Sequence, residues 1–254
     1  MAQYLASALL GEQNNSKDMK KLFVLLPALI MSVTLLAEPK PLRVLVLGDD
    51  PMMVTDEATA AVGYAAALQP LFDDAVTVDV QASATLLPAD PASLLSPAHK
   101  GDVALICKRP VEAHVDDQTM TDIYLGQLQA IQQAAQKKGV KLVWLTQASP
   151  RYFTNEGEQV HRLGIYPEVV RRMCQRDALP LIDVEKLTFD WLTATGVDST
   201  ATAFVPIQPS SPAAAEKTSR EGQLLTEAGA QQVATLVADA IRKDKKIILN
   251  KRLR

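Results

Sequence analysis

Five short apolar runs, separated by segments with apolar residues at helical spacing, dominate the pattern of hydrophobic and polar positions along the chain. Each run is too short for a helix and is typical of a strand buried on both faces. The runs span 43–47, 76–80, 103–107, 141–146 and 179–184. Between two of them, a helix that ends at Gly139 is predicted by apolar residues on one face, namely Tyr124, Leu128, Ile131 and Ala135. Further helices are predicted around 169–173 and after Thr226.

Strands that alternate with helices predict a doubly wound, five-stranded parallel sheet with helices on both faces. This is a three-layer α/β/α fold. In such folds, ligands bind beyond the carboxyl ends of the strands. We therefore expect the functional residues in the segments that follow the strands, which are 48–50, 81–83, 108–109 and 147–151.

Residues 1–37 do not continue this pattern. Met19 and two lysines precede the apolar run LFVLLPALIMSVTLLA, which is the arrangement of a secretory signal peptide, with cleavage after Ala37. Retention as a membrane anchor is the alternative, because a run of this length could almost span a bilayer. We expect export, no stable membrane span after cleavage, and a single domain over 38–254 that ends in a basic tail at 242–254.

Composition and charge exclude several classes of protein. With 48% hydrophobic and 22% charged residues, the chain has the composition of a globular protein rather than a disordered one. Its net charge of -3 lacks the positive field of non-specific nucleic-acid binders, so no nucleic-acid partner is expected. Cys107 and Cys174 are too few for a disulfide scaffold or a zinc site, and no cofactor or metal is expected. A bond between these two cysteines and the oligomeric state stay open.

Several blocks of sequence carry a resemblance to a known family. They are GDDPMM after the first strand, KGDVALI in the third, TQASPRYF and GIYPEVVRRMCQRDALPLIDVEKLT after the fourth, and LLTEAGAQQVATLVADAI near the end. In these blocks the chain resembles the SGNH (GDSL-type) hydrolases, and among them the rhamnogalacturonan acetylesterase-like carbohydrate esterases. The resemblance implies the flavodoxin-like fold of that family.

The catalytic positions implied by the resemblance are substituted. Asp50 stands where the family has its serine nucleophile, and a carboxylate does not replace a hydroxyl that attacks an ester. Val111 aligns with the asparagine that donates to the oxyanion, and Glu221 and Leu224 align with the catalytic aspartate and histidine. The segment 81–85, which should hold the oxyanion glycine, contains none. Glutamate can orient an imidazole, but leucine cannot accept a proton.

These substitutions predict a scaffold without competent catalytic residues. Loss of a triad nucleophile or base lowers turnover roughly a millionfold, so either loss alone is enough. We expect a carbohydrate-associated binding or accessory protein. The alternatives are an active carbohydrate esterase, which requires that the alignment of these blocks is displaced, and a structural partner with a filled cleft. His161 is expected to be a solvated loop residue outside the family's base position.

Five charged residues are predicted to lie at the former catalytic cleft and to contact a ligand: Asp49, Asp50, Lys108, Arg109 and Arg151. The adjacent carboxylates repel each other unless a cation lies close, and Lys108 or Arg109 would supply it. One hypothesis is an internal salt-bridged plug. A second is a site for an anionic or hydroxylated carbohydrate, with Arg109 and Arg151 as forked donors. A third is a carboxylate-pair hydrolase or a divalent-metal site.

Overall fold

Five parallel strands form the central sheet of the computed structural model, which describes residues 40–82, 90–110, 115–208, 210–211 and 217–254. The strands are β1 (Leu42–Gly48), β2 (Val76–Ala82), β3 (Val103–Cys107), β4 (Lys141–Leu145) and β6 (Leu181–Ile182). Their spatial order is β2-β1-β3-β4-β6, and every pairing is parallel. A separate antiparallel ribbon joins β5 (Arg151–Tyr152) to β7 (Glu221–Gly222).

The sheet confirms the predicted doubly wound arrangement, and the predicted strands agree with it except at the last. The predicted run at 179–184 contributes only two residues, which pair with Trp144 and Leu145 of β4. Pro180 cannot donate to the ladder, and Asp183 already belongs to the start of the next helix. The prediction of a longer fifth strand is therefore wrong.

The α-helices that the structure describes are α1 (Asp117–Lys138), α2 (Tyr166–Arg176), α3 (Val184–Thr195), α4 (Val197–Thr200) and α5 (Glu227–Lys243). Gly139 ends α1 in the left-handed conformation with φ 70°, as the sequence predicts. Thr226 caps α5 by accepting from the amide of Gly229. The helix α3 is not predicted by the spacing of its apolar residues, and it begins because the Asp183 carboxylate accepts from Lys186 N.

Alternate residues of each central strand bury their side chains in two separate cores. Val44 and Val46 face the core that α3 and α5 cover, whereas Leu45 and Leu47 face the core covered by α1 and α2. Side chains of successive strand residues point to opposite faces, so both faces of a parallel sheet need apolar residues. The two cores confirm the predicted three-layer α/β/α fold.

The predicted signal peptide lies outside the described residues, and so does the alternative of a retained anchor. Within the described part of the chain, no helix combines the length and the apolar composition needed to cross a bilayer. The described unit runs from Pro41 to Arg254.

The basic tail at 242–254 packs onto the sheet domain. Its 3-10 helix (Ile248–Lys251) buries Leu249 completely. Arg252 pairs with Asp73 at 2.7 Å, and the amide of Asp73 donates to the carbonyl of Arg252 at 2.8 Å. The tail is therefore a structural element next to β2, although four of its lysines remain exposed (Lys243, Lys245, Lys246 and Lys251).

The packing of the tail predicts that Leu249→Ala destabilises the whole domain. Removing a fully buried leucine side chain costs about 2–5 kcal/mol of unfolding free energy, because transfer energy is lost and a cavity remains. Urea denaturation followed by circular dichroism measures this. The matched control, Lys251→Ala two residues away on the exposed face, should change stability by no more than about 0.5 kcal/mol. Equal, small effects of both substitutions would contradict a structural role for the tail.

Candidate functional site

The candidate site lies where the strand order reverses, at the carboxyl ends of β1 and β3. Gly48 is the last residue of β1, and a Cβ added to it would lie 2.4 Å from the carbonyl oxygen of Cys107. Only glycine allows the two strand ends to approach this closely. Asp49 and Lys108, the next residue on each strand, are thereby brought side by side.

Asp49 and Lys108 form a buried ion pair. The Lys108 Nζ atom lies 3.0 Å from Asp49 Oδ2, and the two side chains are 1% and 0% exposed. The second carboxylate oxygen of Asp49 accepts from Arg109 N at 2.6 Å, and Lys108 Nζ also donates to the Arg109 carbonyl at 2.8 Å. Tyr124 of α1 donates its hydroxyl to the Lys108 carbonyl at 2.6 Å. The pair is thus hydrogen-bonded on all sides by the protein itself.

Asp50, which the resemblance to the SGNH hydrolases aligns with the nucleophile, is held by backbone amides instead of by a cation. Its Oδ1 accepts from Met52 N at 2.9 Å and caps the 3-10 helix Pro51–Met53. Its Oδ2 accepts from Ala148 N at 2.7 Å, which ties the end of β1 to the segment after β4. The cation predicted for the neighbouring carboxylates therefore lies on Asp49, and Asp50 is bound by main chain.

Burial changes the acid strength of the groups around Asp50. Burial raises the pKa of the Asp50 carboxyl to about 6, and the charge of Asp49 adds to the rise, while the amides of Ala148 and Met52 oppose it. Burial also raises the pKa values of the Cys107 thiol and the Tyr64 hydroxyl, with the Asp50 charge adding to both. Both groups stay protonated at neutral pH, so neither is an activated nucleophile.

The two arginines predicted for the site differ in exposure. The Arg109 side chain is 26% exposed, and its Nε lies 3.8 Å from Asp49 Oδ1. Arg151 is buried, and its guanidinium donates to the carbonyls of Val197 and Ser219, each at 2.7 Å. It also donates to the Thr200 hydroxyl at 3.1 Å. Arg151 thus joins α4 to the segment before β7, and burial lowers its pKa.

The other residues expected at family positions lie in β7, just after it, or outside the described residues. Glu221 is in β7, half-buried, and its carboxylate lies 3.8 Å from Lys217 Nζ. Leu224 is half-buried, and its carbonyl accepts from Val205 N at 2.9 Å. Val111 falls outside the described residues. The structure thus joins Asp49, Asp50, Lys108 and Arg109 at one point and places Glu221 on a different element.

A second polar cluster, which no sequence pattern predicts, lies near the ends of β4 and β6. His161 Nδ1 lies 2.7 Å from Glu185 Oε1, and its ring stacks on Phe189 with centroids 3.8 Å apart. Arg171 contacts Glu185 and pairs with Asp183 at 2.7 Å. The contacts of His161 and Arg171 join residues 12 to 24 positions apart, so no local pattern signals them. The side chain of His161 is 66% exposed, as predicted for a solvated residue. Its ring is nevertheless held by Glu185.

Metal ligands are the remaining chemical possibility for these acids. Among residues 40–82, 90–110, 115–208 and 217–254, no three His, Cys, Asp or Glu side chains are grouped to hold a metal ion. Asp49 has its two oxygens engaged by Lys108 and Arg109, and Asp50 has its two oxygens engaged by amides. The described part of the site therefore offers an internal ion pair and a rim arginine.

Sequence comparison connects part of this chain to a characterised esterase. No family model matches the chain. Over 107 residues, 42% of its length, the chain is 30% identical to the rhamnogalacturonan acetylesterase RhgT of Bacillus subtilis (strain 168). The alignment covers 46% of that esterase, so the chain matches less than half of the relative's length.

Structural comparison gives the same type of fold. The chain superposes on the Bacillus subtilis protein YXIM with a TM-score of 0.60 and 14% identity, covering 81% of this chain and 57% of that one. An acetyl-xylooligosaccharide esterase from Geobacillus aligns over 80% of this chain and 95% of its own, with a TM-score of 0.48 and 13% identity. The first similarity establishes a shared fold, and the second score is too low to support an inference.

The buried ion pair predicts a large and non-additive effect of mutation. Asp49→Asn leaves the Lys108 ammonium group buried without its counter-charge, which should cost about 3–5 kcal/mol of unfolding free energy. The double variant Asp49→Asn/Lys108→Met should recover part of this loss, because it leaves neither member of the pair buried without its counter-charge. Chemical denaturation of the single and double variants measures the coupling. The exposed pair Lys186–Asp190 is the control, where Asp190→Asn should cost at most about 1 kcal/mol. Additive effects at Asp49 and Lys108 would contradict the pairing.

The raised pKa of Asp50 predicts a specific pH dependence of stability. Because the folded pKa of about 6 exceeds the unfolded value of 3.8, ionisation of Asp50 opposes folding. Its favourable contribution is full below about pH 4 and is lost as the pH rises through about 6. The difference between the folded and unfolded pKa values of Asp50 corresponds to about 3 kcal/mol of unfolding free energy. The stability of the wild type relative to Asp50→Asn should therefore fall by about this amount between pH 4 and pH 8.

Asp73→Asn is the control for this pH experiment. The Arg252 guanidinium lowers the pKa of Asp73, so its stabilising contribution is lost only as the pH falls below about 4. Between pH 4 and pH 8, the stability difference between wild type and Asp73→Asn should be nearly constant. A constant difference for Asp50→Asn as well would show that this carboxyl titrates equally in the folded and unfolded states, contrary to the expectation.

Proposed function

We propose that this chain, a member of the SGNH hydrolase-like family by sequence and fold, is an exported, carbohydrate-associated binding or accessory protein without acyl-transfer activity. Export is supported by the basic start and apolar run that end at Ala37. The association with carbohydrate is supported by the 30% identity to a rhamnogalacturonan acetylesterase. The absence of catalysis is supported by the residues at the carboxyl ends of β1 and β3, where the strand order reverses.

The environment of the Asp50 carboxylate is the observation that carries this proposal. A nucleophile of the family must present an exposed oxygen that a base can deprotonate. Asp50 is 2% exposed, and its two oxygens accept from Met52 N and Ala148 N. A carboxylate held in this way caps a turn and joins two loops, and it has no oxygen directed at a substrate.

The position of the general base supports the same conclusion. Leu224 stands where the family has its histidine, and an aliphatic side chain takes no part in proton transfer. The two histidines that the structure describes have other partners. His99 lies 2.8 Å from Arg43 Nη1, and His161 is paired with Glu185. Loss of the nucleophile and of the base each lowers turnover roughly a millionfold in related triads.

Arg109 is the residue we assign to ligand contact in this proposal. Asp49 and Lys108 are almost fully buried, and the donors of Arg151 are occupied by main-chain carbonyls. Arg109 is the partly exposed cation beside the filled site, and a planar guanidinium suits a carboxylate or paired hydroxyl groups of a sugar. The buried pair then serves as the plug and holds the backbone of Arg109 in place.

The test combines a turnover assay with a binding measurement on the purified chain. We expect no release of p-nitrophenol from p-nitrophenyl acetate above the uncatalysed rate, and binding of acetylated pectic polysaccharide by isothermal titration calorimetry. Arg109→Ala should weaken that binding about tenfold or more, since charge-assisted hydrogen bonds contribute about 1.5–3 kcal/mol. The matched control is Arg172→Ala on α2, 78% exposed and paired with Glu168, which should leave affinity unchanged.

An active carbohydrate esterase is the second candidate, and the match to RhgT favours it. In that case p-nitrophenyl acetate is hydrolysed and a serine-directed inhibitor abolishes the activity. Turnover of this kind would refute the proposed loss of catalysis. A chain that neither hydrolyses the ester nor binds the polysaccharide would refute the carbohydrate association and favour a structural partner with a filled cleft.

A further inference from the structure

A groove at the amino ends of the strands brings together two lysines from distant parts of the chain. Lys141 begins β4, and Lys246 follows α5; both line the same groove of about 230 Å³ together with Ile248. The amino ends of parallel strands lie at the edge of the sheet opposite the carboxyl ends. The groove is therefore remote from Asp49 and is independent of the function proposed above.

A third lysine belongs to the same surface because of helix geometry. Ile248 and Lys251 are three residues apart in the 3-10 helix Ile248–Lys251, and side chains at this spacing lie on one face. Ile248 is 40% exposed, whereas most large apolar side chains in the part of the chain that the structure describes are buried. We call Lys141, Lys246 and Lys251, with Ile248 among them, the lysine patch.

The charges of the lysine patch are not neutralised within the part of the chain that the structure describes. The ammonium groups of its three lysines have no ion-pair or hydrogen-bond partner among the described residues. Asp244 is the acid next to the patch, and one of its oxygens accepts from the amide of Lys246 at 2.8 Å. The arginines of the same tail are used internally: Arg252 pairs with Asp73, Arg254 with Asp74 and Arg242 with Asp239.

We propose that the lysine patch binds the anionic surface of a lipid membrane. Exposed lysines are strongly hydrated point charges without the forked geometry that selects individual carboxylates, so they suit a fluid surface of many negative headgroups. An exposed isoleucine among them adds an apolar contact that can enter the headgroup region. A site for an acidic polysaccharide would instead be expected to present arginines, and those of the tail are engaged in internal pairs.

Vesicle co-sedimentation tests this proposal with the full chain. The probes are vesicles of phosphatidylcholine alone and vesicles of phosphatidylcholine with phosphatidylglycerol, because the neutral vesicles measure any contribution of the apolar run at 22–37. We expect the chain to bind the anionic vesicles more strongly than the neutral ones. This additional binding should weaken as the salt concentration is raised from about 50 mM to about 500 mM. Lys141→Gln/Lys246→Gln should reduce this additional binding at least about tenfold, and Ile248→Ser should reduce it several-fold.

The control variant carries the same charge change elsewhere. Lys186 and Lys217 are exposed lysines outside the patch, so Lys186→Gln/Lys217→Gln should retain the anionic component of binding. Equal loss in both double variants would indicate a general charge effect and would overturn the assignment to the patch. Absence of any difference between neutral and anionic vesicles would overturn the proposal. The proposal would also be overturned if Lys141→Gln/Lys246→Gln abolished co-precipitation with polygalacturonate but left vesicle binding unchanged, since the partner of the patch would then be a polysaccharide.

Discussion

The buried ion pair between Asp49 and Lys108 is the constraint on which the carboxyl edge of the sheet depends. Two charges taken out of water are stable only if their attraction and their hydrogen bonds offset the loss of hydration. Here the pair is completed by the main chain of Arg109, and Tyr124 fixes the Lys108 carbonyl. The close approach at Gly48 makes this geometry possible. The ends of β1 and β3 are therefore held together by the Asp49 carboxylate and the Lys108 ammonium group. A ligand that displaced one of these groups would leave the other charge buried without its partner.

The contacts of Asp50 tie a further segment to the same edge of the sheet. An aspartate before Pro51 is well suited to cap a short helix, because its carboxylate accepts an amide two residues on and proline fits the first helical position. The same carboxylate reaches the amide of Ala148 and so links β1 to the segment after β4. A hydroxyl at this position would have fewer acceptor sites for the two amides. The loop after β1 thus holds neighbouring segments together, and the raised pKa of Asp50 is the consequence of its burial.

Sequence patterns predicted the elements that depend on local chemistry and missed those that depend on distant contacts. The four longer strands, the end of α1 at Gly139 and the start of α5 at Thr226 follow from apolar runs and capping residues. The brevity of β6 and the presence of α3 depend on Asp183, whose capping role competes with the apolar run before it. At the site, the order of residues along the chain placed Asp49 near Lys108, but it did not distinguish which of two adjacent acids would take the cation. That choice depends on side-chain direction at the strand end, which only the three-dimensional arrangement shows.

The polarity of a parallel sheet separates two kinds of surface in this molecule. All carboxyl ends lie at one edge and all amino ends at the other, so residues that follow strands and residues that begin them cannot share a site. At the carboxyl edge Asp49 and Lys108 neutralise each other and backbone amides bind Asp50, whereas at the amino edge Lys141 and Lys246 remain without counter-charges among the described residues. Exposed like charges repel each other and weaken the fold slightly, unless an external anion compensates them. Although the net charge of the chain is -3, its amino edge gathers unpaired lysines around an exposed isoleucine, and an external anion is what would compensate their repulsion.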